Sequence, residues 1–158
     1  MSSTGAAKRR FGGTVAQIRA ALAFYKVFAY TTGVLLLLLV IELVIRYGFQ
    51  SVLMAGGNDA STGAAHGFGF AAVAADGSFS VTGGFNLSTA VLIVHGWMYV
   101  IYLIADFRLW SLMRWPFSKF ILIALGGVVP FLSFFVERKI HAQTLAEIEA
   151  NPQASKRY

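Results

Sequence analysis

The chain has 158 residues, of which 57% are hydrophobic and only 13% charged, and its mean hydropathy is +0.66. A soluble domain carries about 25% charged residues, and here the apolar residues form three blocks separated by polar stretches, which indicates a membrane protein. The absence of cysteine excludes disulfides and thiolate chemistry, and basic residues beside the apolar blocks explain the net charge of +6 better than nucleic-acid binding does.

Residues 1–13 are predicted to form a disordered basic cytoplasmic tail. A helix should begin just beyond it, because Thr14 and Gln17 have the spacing of a capping box, which satisfies the first free amides of a helix. The next apolar residues, including Ile18 and Leu22, share one helix face. Two interpretations remain open: an amphipathic helix that lies in the membrane interface, or an ordinary extension of the first membrane span.

The first membrane span is predicted at about 27–45. About 20 apolar residues are needed to cross a hydrocarbon core near 30 Å thick, and this segment is long enough. A signal peptide is the competing interpretation, since basic residues precede the apolar run. We expect no cleavage, because the apolar run is too long and contains Glu42.

The segment at 47–86 is predicted to be a long glycine-rich loop outside the membrane. It holds nine of the sixteen glycines and neither lysine nor arginine, apart from Arg46 at its edge. A loop of this length usually has structure or function of its own. Short alternating pieces such as residues 78–82 could pair as a small hairpin.

Two further spans are predicted, at about 88–107 and 117–136, so that the membrane domain covers 14–136. A polar C-terminal tail with a short helix, 137–158, follows it. The fold class is therefore an all-α membrane protein with three transmembrane helices and a long extracytoplasmic loop between the first two. Tryptophan and charged residues at span ends are the usual interfacial anchors, and the candidates here are Trp110, Arg114, Trp115, Glu137 and Arg138.

Orientation follows from the distribution of basic residues, which are enriched in cytoplasmic segments. With a cytoplasmic N-terminus and three spans, eight basic residues lie inside and five outside. This count predicts a multi-pass protein with its N-terminus inside and its C-terminus outside. The basic residues near the C-terminus oppose that assignment.

Polar residues form a stripe inside the second span. His95, Tyr99, Tyr102 and Asp106 are spaced four, three and four apart, which places them on one helix face. Such residues should face protein or water, because polar groups in hydrocarbon are costly. Glu42 lies at a similar depth in the first span, so we predict a hydrogen bond between Glu42 and His95.

Each of these features also has a structural interpretation. The tyrosines could pack between helices with their hydroxyls bonded across, and Asp106 could form an ion pair with Lys26 or Arg108. Pro130 cannot donate a backbone hydrogen bond and follows Gly126 and Gly127, so a helix kink is expected in the third span.

No cofactor or metal is expected. A haem held by two histidines needs a second intramembrane histidine, whereas His66 and His141 fall outside the predicted spans. The sequence shows no zinc-ligand set, no phosphate-binding glycine loop before a helix and no recognisable nucleophile motif. No catalytic residues are therefore assigned.

Several segments together resemble a known family. These are the opening 24–34, the second-span segment His95-Gly96 through Tyr102, and the closing Arg114-Trp115-Pro116 and 130–134 followed by Glu137-Arg138. They are similar to the domain of unknown function 3817 family of small integral membrane proteins. The resemblance implies a bacterial, actinobacterial-type plasma-membrane protein, and it supplies no activity.

The sequence favours a non-catalytic accessory or scaffold subunit of a larger bacterial membrane complex, respiratory or cell-envelope. The expected partners are the lipid bilayer and other membrane subunits or further copies of the chain. The alternative is a homo-oligomeric channel or proton-linked small-solute transporter lined by the polar stripe. A third interpretation is a small membrane enzyme or quinone-binding protein that uses His95 and Tyr99.

Overall fold

The computed structural model describes residues 11–151, and this part of the chain is mostly helical. Its four helices are α1 (Val15–Gly48), α2 (Leu87–Met113), α3 (Phe117–Gly126) and α4 (Leu132–Ala150). Five short strands lie between α1 and α2: β1 (Ser51–Ala55), β2 (Asn58–Asp59), β3 (Phe68–Ala72), β4 (Val81–Thr82) and β5 (Phe85–Asn86).

Two of the helices, α1 and α2, are long and apolar enough to cross a membrane. Their 34 and 27 residues correspond to about 51 and 40 Å at 1.5 Å per residue, against a hydrocarbon core of about 30 Å. The predicted capping box is confirmed. The Thr14 amide donates to the Gln17 side chain at 3.0 Å, and the Gln17 amide donates to the Thr14 hydroxyl at 3.2 Å.

The chain divides into two compact units, and α1 and α2 contribute residues to both. The first unit contains the described residues up to Gly33 and those from Met98 onward. Its core joins all four helices, with side chains that include Ile18, Leu22, Tyr25, Leu109, Ile123 and Ile140. The lead-in before the first span is therefore a continuous part of α1 whose apolar face packs against protein.

The predicted N-terminal tail lies mainly outside the described residues, but its last part does not. Phe11 is buried in the core of the first unit, and the Gly12 amide donates to the Leu112 carbonyl at 2.7 Å. Residues 11–13 are thus ordered, and the prediction of a disordered tail up to residue 13 was wrong there. The apolar side chain of Phe11 explains the difference, because it gains by leaving water.

The second unit spans Val34–Trp97 and contains all five strands. A three-stranded antiparallel sheet has the order β3-β1-β5, and β2 pairs with β4 in a second, two-stranded sheet. The core between them is formed by Val52, Met54, Ala71 and Val81. The all-α prediction was therefore too simple, because the glycine-rich segment folds into β-structure.

Glycine makes the sharp turns of this small β-structure possible. Gly57 and Gly84 adopt positive φ angles of 94° and 76°, and a β-carbon at either position would meet backbone atoms closer than 3.0 Å. The expected hairpin at residues 78–82 is present in modified form. Val73 and Phe79 form a bridge across a turn, while β4 itself pairs with β2.

The predicted third span at 117–136 is not a single helix. After ten residues α3 ends at Gly126, and α4 begins at Leu132 and continues to Ala150. The two helices are antiparallel neighbours, because Ser133 lies beside Gly126 whereas Glu147 lies beside Lys119 at the opposite end. The sequence predicted a kink at Gly126, Gly127 and Pro130, and the structure contains a complete reversal of the chain.

Candidate functional site

The hairpin of α3 and α4 turns within five residues, 127–131. Gly127 donates its amide to the Ala124 carbonyl, and Val128 and Val129 donate theirs to the Leu125 carbonyl. Phe131 has a φ of 65°, in the left-handed region that non-glycine residues seldom occupy. Three amides of the turn therefore bind carbonyls at the end of α3 while the chain reverses direction.

Two tyrosines of the predicted polar stripe complete the end of α3. The Tyr102 hydroxyl donates to the Ile123 carbonyl, and the Tyr99 hydroxyl donates to the Ala124 carbonyl at 3.2 Å. The last carbonyls of a helix have no partner within that helix and need one from elsewhere. Tyr99 and Tyr102 on α2 therefore cap the C-terminal end of α3 from the side.

Close packing at Gly127 and Gly126 allows these hydroxyls to reach the backbone. A β-carbon at Gly127 would lie 2.5 Å from the Tyr99 ring, and one at Gly126 would lie 3.2 Å from the Tyr102 hydroxyl. Two predicted kink residues, Gly126 and Gly127, thus lie against two predicted stripe residues, Tyr99 and Tyr102, and the absence of a side chain on each glycine leaves room for the tyrosine rings.

The start of α4 packs tightly on α1. The Ser133 hydroxyl donates to the Ala29 carbonyl at 2.8 Å, and a β-carbon on Gly33 would lie 3.2 Å from the Ser133 β-carbon. Small residues at such crossings let two helix backbones approach closely. Ser133 was not among the predicted residues, although a serine after Pro130 on an otherwise apolar face was a visible signal.

At the end of the hairpin opposite the turn, polar side chains connect α4 to the start of α3. The Trp115 indole donates to both Glu147 carboxylate oxygens, at 3.2 and 3.0 Å. The Lys119 ammonium lies 3.8 Å from Glu147 and 4.5 Å from the centre of the Trp115 ring. Trp115 is buried among the helices at 3% exposure, and its assignment as an interfacial anchor stays a prediction.

The other predicted anchors have different surroundings. Trp110 is half-buried and its indole donates to the Pro116 carbonyl at 3.2 Å, and both Arg114 and Arg138 are exposed. Glu137 is only 2% exposed, so it lies in the first unit's interior rather than at a water-facing span end. The assignment of Glu137 as an interfacial anchor stays a prediction.

Asp106 lies in the interior of the first unit with 0% exposure. Neither of its carboxylate oxygens has a hydrogen-bond partner among the described residues. Lys26 and Arg108 are both exposed, and neither forms the predicted ion pair. The expectation that Asp106 pairs with one of them was therefore wrong.

Glu42 belongs to the second unit, where it lines a cavity of about 230 Å³. The cavity also contacts Arg46, one helical turn further along α1, and Ser88 and Thr89 in the first turn of α2. His95 is half-buried on α2 in the same unit and is not among the residues that line this cavity. The Glu42–His95 hydrogen bond stays a prediction.

The turns of the β-structure contain two aspartates that the sequence did not single out. Asp59 Oδ1 accepts hydrogen bonds from the amides and hydroxyls of Ser61 and Thr62, which lower the pKa of this carboxyl well below its usual value. Asp76 accepts from the Ser78 hydroxyl and amide, with a lowered pKa for the same reason. Both are turn-stabilising residues, and an Asp followed two residues later by Ser is the signal that could have identified them.

Across residues 11–151, no group of three histidine, aspartate or glutamate side chains is close enough to hold a metal ion. What the described site provides instead is a set of hydroxyl and indole donors that bind backbone carbonyls and one carboxylate. These hydrogen bonds hold the α3–α4 hairpin against α1 and α2.

Comparison with known proteins identifies relatives along most of the chain. Residues 22–142 match the family described as Domain of unknown function (DUF3817), which confirms the resemblance drawn from the sequence. Uncharacterized proteins of Mycobacterium tuberculosis and Mycobacterium bovis are each 32% identical over 136 residues, covering 86% of this chain and 82% of the relative. An uncharacterized protein of Mycobacterium leprae is 28% identical over 126 residues, covering 80% and 74%. No solved structure matches.

Proposed function

The chain belongs to the DUF3817 family of actinobacterial proteins, and on that premise we propose a membrane topology and a role. α1 and α2 cross the bacterial plasma membrane in opposite directions. The α3–α4 hairpin enters the bilayer from the cytoplasmic side and returns to it. Both termini are then cytoplasmic, and the β-structure is outside.

The length of α3 supports this re-entrant arrangement. Its ten residues extend about 15 Å, half of a hydrocarbon core of about 30 Å, so it cannot cross alone. The contact of Glu147 with Trp115 and Lys119 brings the end of α4 back to the start of α3. Irregular backbone at membrane depth is tolerated where protein satisfies it, and the tyrosine caps and turn amides of this hairpin do so.

The charge distribution supports the same topology. The three-span arrangement left five basic residues outside, four of them beyond the third span. With a re-entrant hairpin those four move to the cytoplasmic side, which gives twelve basic residues inside and only Arg46 outside. Cytoplasmic enrichment of lysine and arginine is the main determinant of orientation in such proteins.

The proposed role is that of a non-catalytic accessory or scaffold subunit in a larger membrane complex, respiratory or cell-envelope. The observation that carries this proposal is the use of the polar stripe. Tyr99 and Tyr102 are engaged with the backbone of α3, and Tyr102 and Asp106 are buried within a single chain. Because these side chains hold the helices of one chain together, we infer that they stabilise a fixed surface to which partner subunits bind.

The same observation weighs against the alternative of a homo-oligomeric channel or transporter. A lumen between copies would need the stripe at the surface of each copy, whereas Tyr102 and Asp106 are 0% exposed within one chain. Glu42 lines an open cavity, so it is the predicted lumen residue that a channel or transporter could still use.

Purification of the tagged protein at native expression level, in mild detergent, followed by mass measurement and mass spectrometry, tests the proposed role. We expect foreign membrane subunits in a fixed ratio to this chain. A pure oligomer of this chain that conducts protons in liposomes, with conduction lost in Glu42→Gln and retained in Tyr99→Phe, would refute the accessory role.

A further inference from the structure

The three-stranded sheet of the second unit has two apolar faces, and residues 11–151 cover only one of them. Side chains alternate between faces along a strand. Val52 and Met54 of β1 and Ala71 of β3 point into the core at 0–4% exposure. The opposite face carries Phe68, Phe70 and Phe85, exposed by 75%, 60% and 59%. We call these three residues the aromatic face.

The strand register places the three phenylalanines on one side. Phe70 pairs with Leu53, and both Phe68 and Phe85 pair with Ala55 from opposite neighbouring strands. Residues paired directly across an antiparallel ladder point to the same face of the sheet. Large contiguous apolar patches on a protein surface mark an interaction site.

The aromatic face continues onto the apolar surfaces of the two long helices. Phe70 lines a cavity of about 340 Å³ together with Ile45 and Phe49 near the end of α1. Phe85 lines another of about 410 Å³ whose other walls include Ile93 and Val94. Ile93 is six residues into α2, so this cavity reaches about 9 Å along the helix from its start.

The chemistry of this surface selects a neutral apolar partner. The chain from Tyr47 to Asn86 contains neither lysine nor arginine, so it offers no attraction to anionic headgroups or acidic proteins. The aspartates of the segment, Asp59 and Asp76, are engaged in its turns. Phenylalanine is typical of the apolar face of protein segments that lie at the boundary between headgroups and acyl chains.

We propose that the aromatic face is a lipid-binding surface that rests in the outer leaflet of the membrane, with acyl chains occupying the cavities beside Phe70 and Phe85. This inference rests on the proposed crossing of the membrane by α1 and α2. The sheet then acts as an interfacial anchor for the outer ends of both helices. Interfacial amphipathic helices are buried about 5–10 Å into the headgroup and acyl boundary, and the cavity beside Phe85 extends a similar length along α2.

The cysteine-free sequence allows a direct test by spin labelling. Single cysteines at Phe68, Phe70 and Phe85 are labelled with a nitroxide in phosphatidylcholine liposomes, with Ser61→Cys and Ser78→Cys as matched exposed controls. Collision rates with oxygen, which concentrates in hydrocarbon, are compared with those of a water-soluble nickel chelate. We expect the oxygen-to-nickel ratio to be several-fold higher at all three phenylalanine positions than at the two serines.

Two results would overturn the proposal. A ratio at the phenylalanine positions equal to that at the serines would place the aromatic face in water. Low collision rates with both reagents, together with dipolar broadening between labels on different molecules, would place it against a second copy. A label at Val100, which is exposed on α2, tests the membrane crossing separately. A water-like ratio at Val100 would refute the crossing of the membrane by α2, whereas a hydrocarbon-like ratio there would confine the failure to the aromatic face.

Discussion

Replacing Tyr102 with phenylalanine removes the hydrogen bond that caps α3. The substitution removes one hydroxyl from a side chain that is 0% exposed and leaves the ring in place. The Ile123 carbonyl then loses the partner that α2 provides. Tyr99→Phe is the matched control, since the Ala124 carbonyl also accepts from the Gly127 amide and keeps that partner.

The size of the effect follows from burial. Leaving a buried polar group without its partner costs about 1–3 kcal/mol, whereas hydrogen bonds between membrane helices average about 0.6 kcal/mol and reach about 1.7 kcal/mol. Because Tyr102 is wholly buried, we expect Tyr102→Phe to lower the free energy of unfolding by about 1–2 kcal/mol. Because Tyr99 is only half-buried, Tyr99→Phe should lower the free energy of unfolding by about 0.5 kcal/mol.

Unfolding in mixed micelles of dodecyl maltoside and dodecyl sulfate, followed by far-ultraviolet circular dichroism, measures both variants against the parent chain. A Tyr102→Phe variant with the parent's free energy of unfolding would show that the Tyr102 hydroxyl does not stabilise the end of α3. A larger loss in Tyr99→Phe than in Tyr102→Phe would show that the Gly127 amide does not compensate at the Ala124 carbonyl.

Gly127→Ala should cost about 1–3 kcal/mol in the same assay, because the new β-carbon would lie 2.5 Å from the Tyr99 ring; Gly96→Ala, with no such neighbour, should be neutral or stabilising. Asp106→Asn should leave the free energy of unfolding unchanged or higher, since the carboxylate has no partner among the described residues; a loss of about 3 kcal/mol would reveal a buried ion pair. Hydrogen bonds lower the pKa of Asp59, so its carboxylate should stabilise its turn above about pH 4 and lose that effect as the pH falls through the lower folded-state pKa. Amide-exchange protection factors of that turn should therefore fall on acidification in the parent chain, and a parallel fall in Asp59→Asn would contradict this origin.

Local signals in the sequence were sufficient for the features that depend on near neighbours. The capping box of Thr14 and Gln17 needs only the first turn of one helix, and it is confirmed. The long apolar blocks of α1 and α2 likewise determine helices by length and composition. The family resemblance also followed from short segments in order.

The hairpin could not be predicted from the same kind of signal. A proline after two glycines is compatible with a kinked span and with a complete reversal, and the choice depends on distant partners. Here Ser133 binds the Ala29 carbonyl, and Glu147 binds Trp115, 32 residues away in sequence. Such long-range contacts stabilise the reversal over a kinked span, and a hydropathy pattern carries no information about them.

The polar stripe shows a similar division between what spacing can and cannot predict. Helical periodicity placed Tyr99, Tyr102 and Asp106 on one face, and all three are at least half-buried in the first unit. The acceptors of the tyrosines are backbone carbonyls of α3, which carry no side-chain signature. Charge pairing of Asp106 with Lys26 or Arg108 was inferred from their shared position at the inner ends of the predicted spans, and both basic side chains are exposed.

Cysteine accessibility in right-side-out membrane vesicles tests the re-entrant topology most directly. Single cysteines at Ser78, Ser111 and Glu149 are exposed to a membrane-impermeant maleimide before and after permeabilisation. We expect Ser78→Cys to react in intact vesicles, whereas Ser111→Cys and Glu149→Cys should react only after permeabilisation. Reaction of Glu149→Cys in intact vesicles, with Ser111→Cys still protected, would show that the chain crosses the membrane a third time and would contradict the re-entrant hairpin.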